Sequence, residues 1–266
     1  MKLTFLGTGT SCGVPVIGCQ CEVCRSTDPH DKRLRCSALV ETHSTRLLID
    51  CGPDFREQIL TQPFRKIDGI LITHHHYDHV GGMDDLRPYC RFGDIDVYAD
   101  ETSARNIRHN MPYCFVENKY PGVPSINLNV VRPHESFQIG DLGIMPFTVM
   151  HGTLPILAFR ITENTSQTLQ TSHPLHSLTY ITDMKTIATS ELPYATGSDI
   201  LVVNALRFTK PHHSHMLVDE AIDFIRHTKI PQTYLIHSCH DIGLHQEVNR
   251  LLPSDIQLAH DGMVVE

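Results

Sequence analysis

Short runs of β-branched and apolar residues, broken by polar turns, recur along the whole chain. Residues 2–6, 37–40, 46–49, 69–72, 95–98 and 127–131 read as strands, and a second series follows at 143–149, 157–161, 178–181, 199–203, 233–236 and 263–265. Between them, 102–108, 216–227 and 244–251 place apolar residues at helical spacing, and Asp219 and Glu220 sit near the start of the second of these helices. The stretch 163–176 is rich in Thr, Ser and Gln and reads as an exposed loop. A strand-rich first half followed by a mixed second half predicts an α/β chain in which two sheets pack face to face with helices outside, a four-layer αββα sandwich.

Composition narrows this pattern. With 266 residues, 41% of them apolar, the chain can bury a large core. Nothing in it resembles an interdomain linker, so residues 1–266 are expected to form a single domain. A formal charge of −8 argues against nucleic acid or an anionic membrane as partner, because both usually select a basic stripe. No run of about twenty apolar residues occurs, and MKLTFLGTGTS lacks the apolar core of a signal peptide, so a cytoplasmic protein is expected. Nine cysteines, an odd number in a long chain, are then expected as thiols rather than disulfides.

Histidine changes the picture most: there are 19, gathered in a few clusters. The strand at 69–72 runs into His74-His75-His76-Tyr77-Asp78-His79, followed by Gly81 and Gly82. In an extended segment alternate side chains share a face, so His74 and His76 can converge on one ion while His75 points away. Asp78 and His79 lie where the chain turns, in reach of a second ion, and the two glycines free that turn.

This HxHxDH segment resembles the signature of the metallo-β-lactamase superfamily, and further segments resemble that family's remaining motifs in order. The opening LTFLGTG and the strand ending in Asp50-Cys51-Gly52 match its first motifs, in which the aspartate buttresses the histidine loop. His151, Asp183 and His237, each just past a predicted strand, match its third histidine, its bridging aspartate and its last histidine. The resemblance implies a dinuclear centre of zinc or manganese held by His74, His76, Asp78, His79, His151, Asp183 and His237. Such a centre would generate a hydroxide nucleophile near neutral pH, with Asp78 helping to orient it.

Cys19, Cys21 and Cys24, in GCQCEVC, have a spacing that suits tetrahedral zinc better than disulfides. The spacing leaves the fourth ligand open, with Cys12 and Cys36 as flanking rivals. A similar insertion marks the PhnP-like branch, the phosphoribosyl cyclic phosphodiesterases, and there the fourth ligand is a histidine that corresponds to His240. The resemblance thus implies a zinc-binding loop at about 12–36 with a structural role. It also implies a histidine before the helix at 216–227 that reaches the phosphate or the leaving group. His215 matches, with His213 as the alternative. Arg87, Arg91, Asn204 and Arg207 are candidate phosphate contacts.

The function so implied is hydrolysis of a small cyclic or nucleotide-like phosphodiester, with a homodimer admissible. A tRNA-processing endonuclease of the RNase Z type is the nearest alternative, but Asn204-Ala205-Leu206-Arg207 stands where that family carries His-Glu-Ala-Thr. An acyl or thioester hydrolase comes next. A non-catalytic zinc-binding or redox-sensing protein is the alternative of a different class.

Overall fold

The computed structural model describes residues 1–164 and 175–266, so most of the expected loop at 163–176 lies outside the described residues. The first sheet contains β1 (Lys2–Gly7), β2 (Ser37–Glu41), β3 (Arg46–Ile49), β4 (Gly69–Leu71), β5 (Ile95–Ala99), β6 (Ile126–Val130) and β14 (Val264–Val265). Its order is β14-β1-β2-β3-β4-β5-β6. The second contains β7 (Phe137–Ile139), β8 (Leu142–His151), β9 (Leu154–Glu163), β10 (Ser177–Tyr180), β11 (Ile200–Asn204), β12 (Gln232–Ile236) and β13 (Ile256–Leu258), in the order β13-β12-β11-β10-β9-β8-β7.

Both sheets are covered on both faces, and the residues of a single strand show how. In β3, Leu47 and Ile49 join Leu3, Phe5 and Val40 against Phe159, Tyr180, Val202 and Ile236 of the second sheet. Leu48, between them, faces outward onto Phe55 and Ile59 of α2 (Phe55–Leu60) and onto Met83 and Leu86. In β11, Val202 points inward while Leu201 and Val203 pack under α5 (Val218–Thr228) and α6 (His245–Leu251). This alternation inside fully buried strands yields the four layers, helix, sheet, sheet, helix, expected from the sequence.

The periodic helices form where their residues allow. Asp100 caps α4 (Glu101–Asn110) by accepting from the Ser103 amide, and Glu220 accepts from the Leu217 amide ahead of α5. The sequence pattern passes over α2, β7, β13 and the 3-10 helix at Met83–Phe92. These pieces are too short, or in the last case too tightly wound, to show a helical or strand period. Among the described residues no helix is long and apolar enough to cross a membrane.

The loop between β1 and β2 is tied to the C-terminal part of the chain. Arg33, fully buried within it, donates to the Thr8 hydroxyl (2.8 Å) and to the Ala259 carbonyl (2.7 Å). Asp31 accepts from the His245 amide at 2.7 Å, and the His30 ring lies against those of His245 and His260. Burial, reinforced by the charges of Arg33, His260 and His30, pushes His245 down to about 4. The unfolded chain takes up a proton near pH 6.5 that the folded chain refuses until about 4, so this contribution to stability is full above 6.5 and is lost as pH falls. The melting temperature should therefore fall across that window, and less steeply in His245→Gln. Identical slopes for the two proteins would contradict this account.

Candidate metal centre

The loops that follow β3, β4, β8, β10 and β12 meet at one edge of the sandwich. Asp50 follows β3, His74 and His76 follow β4, and α3 (Tyr77–Val80) carries Asp78 and His79. His151 closes β8, while Asp183 and His237 follow β10 and β12. Asp50, Asp183 and His237 adopt left-handed backbone conformations, with φ of 57°, 57° and 56°. Non-glycine residues rarely do so, and here the strain turns each chain end sharply into the site.

Two donor groups result. In the first, His74, His76 and His151 each offer a ring nitrogen, and in the second, Asp78, His79, Asp183 and His237 each offer one donor atom. Within each group the donor atoms lie within 4.8 Å of one another. The Oδ1 atom of Asp183 is 3.4 Å from His79 Nε2 and 3.2 Å from His237 Nε2, while its Oδ2 atom is 3.9 Å from His74 Nε2. The two oxygens of this one carboxylate thus face different groups.

Both groups are oriented from behind. Asp50, wholly buried, accepts from His79 Nδ1 at 2.7 Å, which turns His79 Nε2 inward. His151 Nδ1 donates to the carbonyls of Asp183 (2.9 Å) and Ser214 (3.0 Å). Burial works against the charge on Asp183, yet His237 and His79 hold it well below the usual carboxylate range. Burial likewise opposes charge on His79, and Asp183 and Asp50 override it, so its pKa is raised. Asp78 is buried too, but the adjacent His237 and His79 rings lower its pKa.

The residues fit divalent cations. His79 Nε2, both ring nitrogens of His237 and Nδ1 of His215 are buried without a hydrogen-bond partner among the described residues. Buried polar nitrogens are seldom left so, and three of these, His79 Nε2, His237 Nε2 and His215 Nδ1, lie within 4.0 Å of a buried carboxylate, as around a cation. Imidazole and carboxylate donors suit zinc and manganese alike. His215 forms a third, overlapping group with His151 and Asp183, and its ring centroid lies 4.7 Å from that of His237. Burial, reinforced by His237 and only partly offset by Asp183, pushes it down to about 2, so its imidazole is neutral at pH 7.

A separate group joins Cys19, Cys21, Cys24 and His240. His240 Nδ1 lies 3.4 Å from Cys19 Sγ and 3.2 Å from Cys21 Sγ. Three thiols and an imidazole form the closed donor set of tetrahedral zinc. Cys12 is exposed and Cys36 buried, and neither joins this group.

Several residues expected at the site stand elsewhere. His75 belongs to none of the donor groups. Exposed His213 stacks on His212. Arg87 is exposed and spends its guanidinium on Asp84 and the Gly122 carbonyl. Arg91 lies over Phe64 and Phe92, and Arg207 donates to the Lys210 carbonyl and faces Asp241. Asn204, fully buried, exchanges both amide hydrogen bonds with the Met184 backbone and so holds the Asp183 turn. The supporting carbonyl of Ser214 could not be foreseen, since a backbone acceptor leaves no mark in a sequence.

Comparison with known proteins agrees with this geometry. A family model described as a beta-lactamase superfamily domain matches residues 45–238. A crystal structure described as a new diphosphatase from the PhnP family is 38% identical, with a TM-score of 0.87, over 99% of this chain and 96% of that one. The zinc-bound PqqB of Methylobacterium extorquens shares the fold over the full length of both chains, at 18% identity and a TM-score of 0.81. An octanoyltransferase of Porphyromonas gingivalis is 43% identical over 99% of the chain, but the chain spans only 51% of that protein.

Backbone contacts hold the aspartate and histidine loops together. A Cβ on Gly52 would come 2.1 Å from the Asp78 carbonyl oxygen, and one on Gly82 would come 2.0 Å from the Gly52 carbonyl oxygen. Gly52→Ala should therefore push the two loops apart, costing about 1–3 kcal/mol of stability and lowering the content of bound divalent metal. Calorimetry and elemental analysis would check both, and an unchanged melting temperature would show that the loops tolerate separation.

Proposed function

The chain belongs to the metallo-β-lactamase superfamily, with a PhnP-family diphosphatase as a full-length relative, and from that premise we propose a metal-dependent phosphodiesterase acting on a small cyclic or nucleotide-like phosphodiester. The diphosphatase relative, at 38% identity, supports hydrolase chemistry. The observation that carries the finer reading is Asp183, one carboxylate whose two oxygens face two separate donor groups. A pair of ions so placed suits a diester, whose charge increases during attack.

In this reading His74, His76 and His151 would hold one divalent ion and Asp78, His79 and His237 the other, and Asp183 presents one carboxylate oxygen to each donor group. Zinc or manganese bound there supplies Lewis acidity, neutralising phosphate and acidifying water close to pH 7. The protein's own groups do the rest. Asp50 and the carbonyls of Asp183 and Ser214 lock the ring orientations, and the buried carboxylates keep the imidazoles turned inward. Asp78, the most exposed member of the second group, would orient the attacking water. His215, neutral and beside both His151 and His237, donates a hydrogen bond to the departing oxygen.

The group of Cys19, Cys21, Cys24 and His240 is assigned to a structural zinc. Its His240 sits three residues beyond His237, and Ser238, between them, donates its amide to the Thr8 carbonyl and accepts from the Thr10 amide. Zinc there secures the β1–β2 loop to the His237 turn. Octanoyl transfer, named for a protein of which this chain spans about half, is not carried over. The RNase Z alternative finds no support at Asn204 and Arg207, whose polar groups are already engaged.

The test is hydrolysis of bis(p-nitrophenyl) phosphate by metal-free protein to which zinc, then manganese, is restored. Turnover with at least one metal is expected. Its absence with both, in protein shown to hold the ions, would defeat the proposal. His76→Ala should lower turnover more than about 100-fold with little change in melting temperature, whereas Cys21→Ala should mainly lower the melting temperature. Cys21→Ala with full stability and no activity would contradict the structural assignment.

A further inference from the structure

Resting on the metal-centre reading above, we propose that Thr73 is a positioning residue through which the buried carboxylate of Asp50, already in direct contact with His79 of the second group, also sets the ring tautomer of His74 in the first. Thr73 is wholly buried between β4 and His74. Its amide donates to Asp50 Oδ1 at 2.8 Å, and its hydroxyl lies 2.9 Å from Asp50 Oδ2 and 3.1 Å from His74 Nδ1.

The direction of these bonds follows from counting protons. A threonine hydroxyl has one proton, and an ionised carboxylate can only accept, so the proton goes to Asp50. The hydroxyl oxygen must then accept from His74, which places the imidazole proton on Nδ1. His74 Nε2 is left as a lone pair, 2.9 Å from His76 Nδ1 and facing Asp183. Asp50 Oδ2 also accepts directly from His79 Nδ1 at 2.7 Å, which frees His79 Nε2 for the second group. Asp50 therefore reaches the second group directly and the first by one hydroxyl relay.

Removing the relay leaves the His74 ring free to carry its proton on Nε2, where it blocks ligation, and free to rotate. Loss of such outer partners commonly weakens metal binding about 10–100-fold. The pair Thr73→Val and Thr73→Ser isolates the effect, since valine keeps the shape without the hydroxyl and serine keeps the hydroxyl.

The readouts are zinc dissociation constants, measured by chelator competition on protein whose cysteine group is already loaded, and ring tautomers, measured by long-range nitrogen–proton NMR on metal-free protein labelled with ¹⁵N-histidine. His74→Gln identifies the His74 signals. In the unmutated chain His74 should be protonated at Nδ1. In Thr73→Val one of the two zinc constants should weaken about 10–100-fold and the other less, while Thr73→Ser should stay close to the unmutated chain. An Nε2-protonated His74 in the unmutated chain overturns the proposal whether or not Thr73→Val folds. Unchanged constants in Thr73→Val, or equal losses in Thr73→Val and Thr73→Ser, overturn it as well. Failure of the metal-centre reading would show separately, as an unmutated chain that binds no zinc outside its cysteine group.

Discussion

Three carboxylates, Asp50, Asp78 and Asp183, are buried close together where the two sheets meet, and much of the structure near them serves to make that burial tolerable. An unpaired buried carboxylate costs several kcal/mol. Here each is met by imidazoles: Asp50 by His79, Asp78 by His79 and His237, Asp183 by His79, His237 and His74. The imidazoles are themselves incompletely satisfied, with His79 Nε2 and both nitrogens of His237 lacking hydrogen bonds. Buried carboxylates beside unpartnered ring nitrogens form a cluster that could hold cations.

The scaffold gives this cluster its rigidity. Sheets buried on both faces hold the strand ends in register, and the candidate donors sit at those ends, within a few residues past them, or on α3. The left-handed backbone at Asp50, Asp183 and His237 can persist only because the surrounding strands over-determine it. Close backbone contact among Gly52, Asp78 and Gly82 fixes the aspartate loop against the histidine loop. Asn204 braces the Asp183 turn through Met184. The cysteine group extends the same logic to the His237 turn, because the residues that link His237 to His240 also pair with the segment that leads into the β1–β2 loop.

Much of this was legible in the sequence. Alternation in residues 46–49 and 199–203, interleaved with helical spacing in 216–227 and 244–251, was enough to predict two covered sheets, because burial on both faces leaves runs of apolar residues that short-range rules can read. His74, His76, Asp78 and His79 were legible because four donors within six residues must act together, and the gathering of His151, Asp183 and His237 agrees with what family resemblance implied. Cys19, Cys21 and Cys24 were legible by spacing, and resemblance pointed to His240, which the structure places beside them. The substrate contacts were not legible. Arg87, Arg91, Asn204 and Arg207 look alike in a sequence, and only their actual partners show that their polar groups are engaged elsewhere.

By itself the sequence indicated the layers by periodicity and the HxHxDH and cysteine clusters by short spacing, which are local properties of a chain, while resemblance to a family supplied the more distant donors. Family resemblance already implied a bridging Asp183 and a buttressing Asp50, whereas tertiary structure alone decided that Asp50 also reaches His74 through Thr73 and that Arg33 fastens the cysteine loop to Ala259. These are contacts between residues far apart in the chain or bonds whose direction depends on a third partner. Their physical cause is the convergence of strand ends from two sheets, which no local pattern encodes.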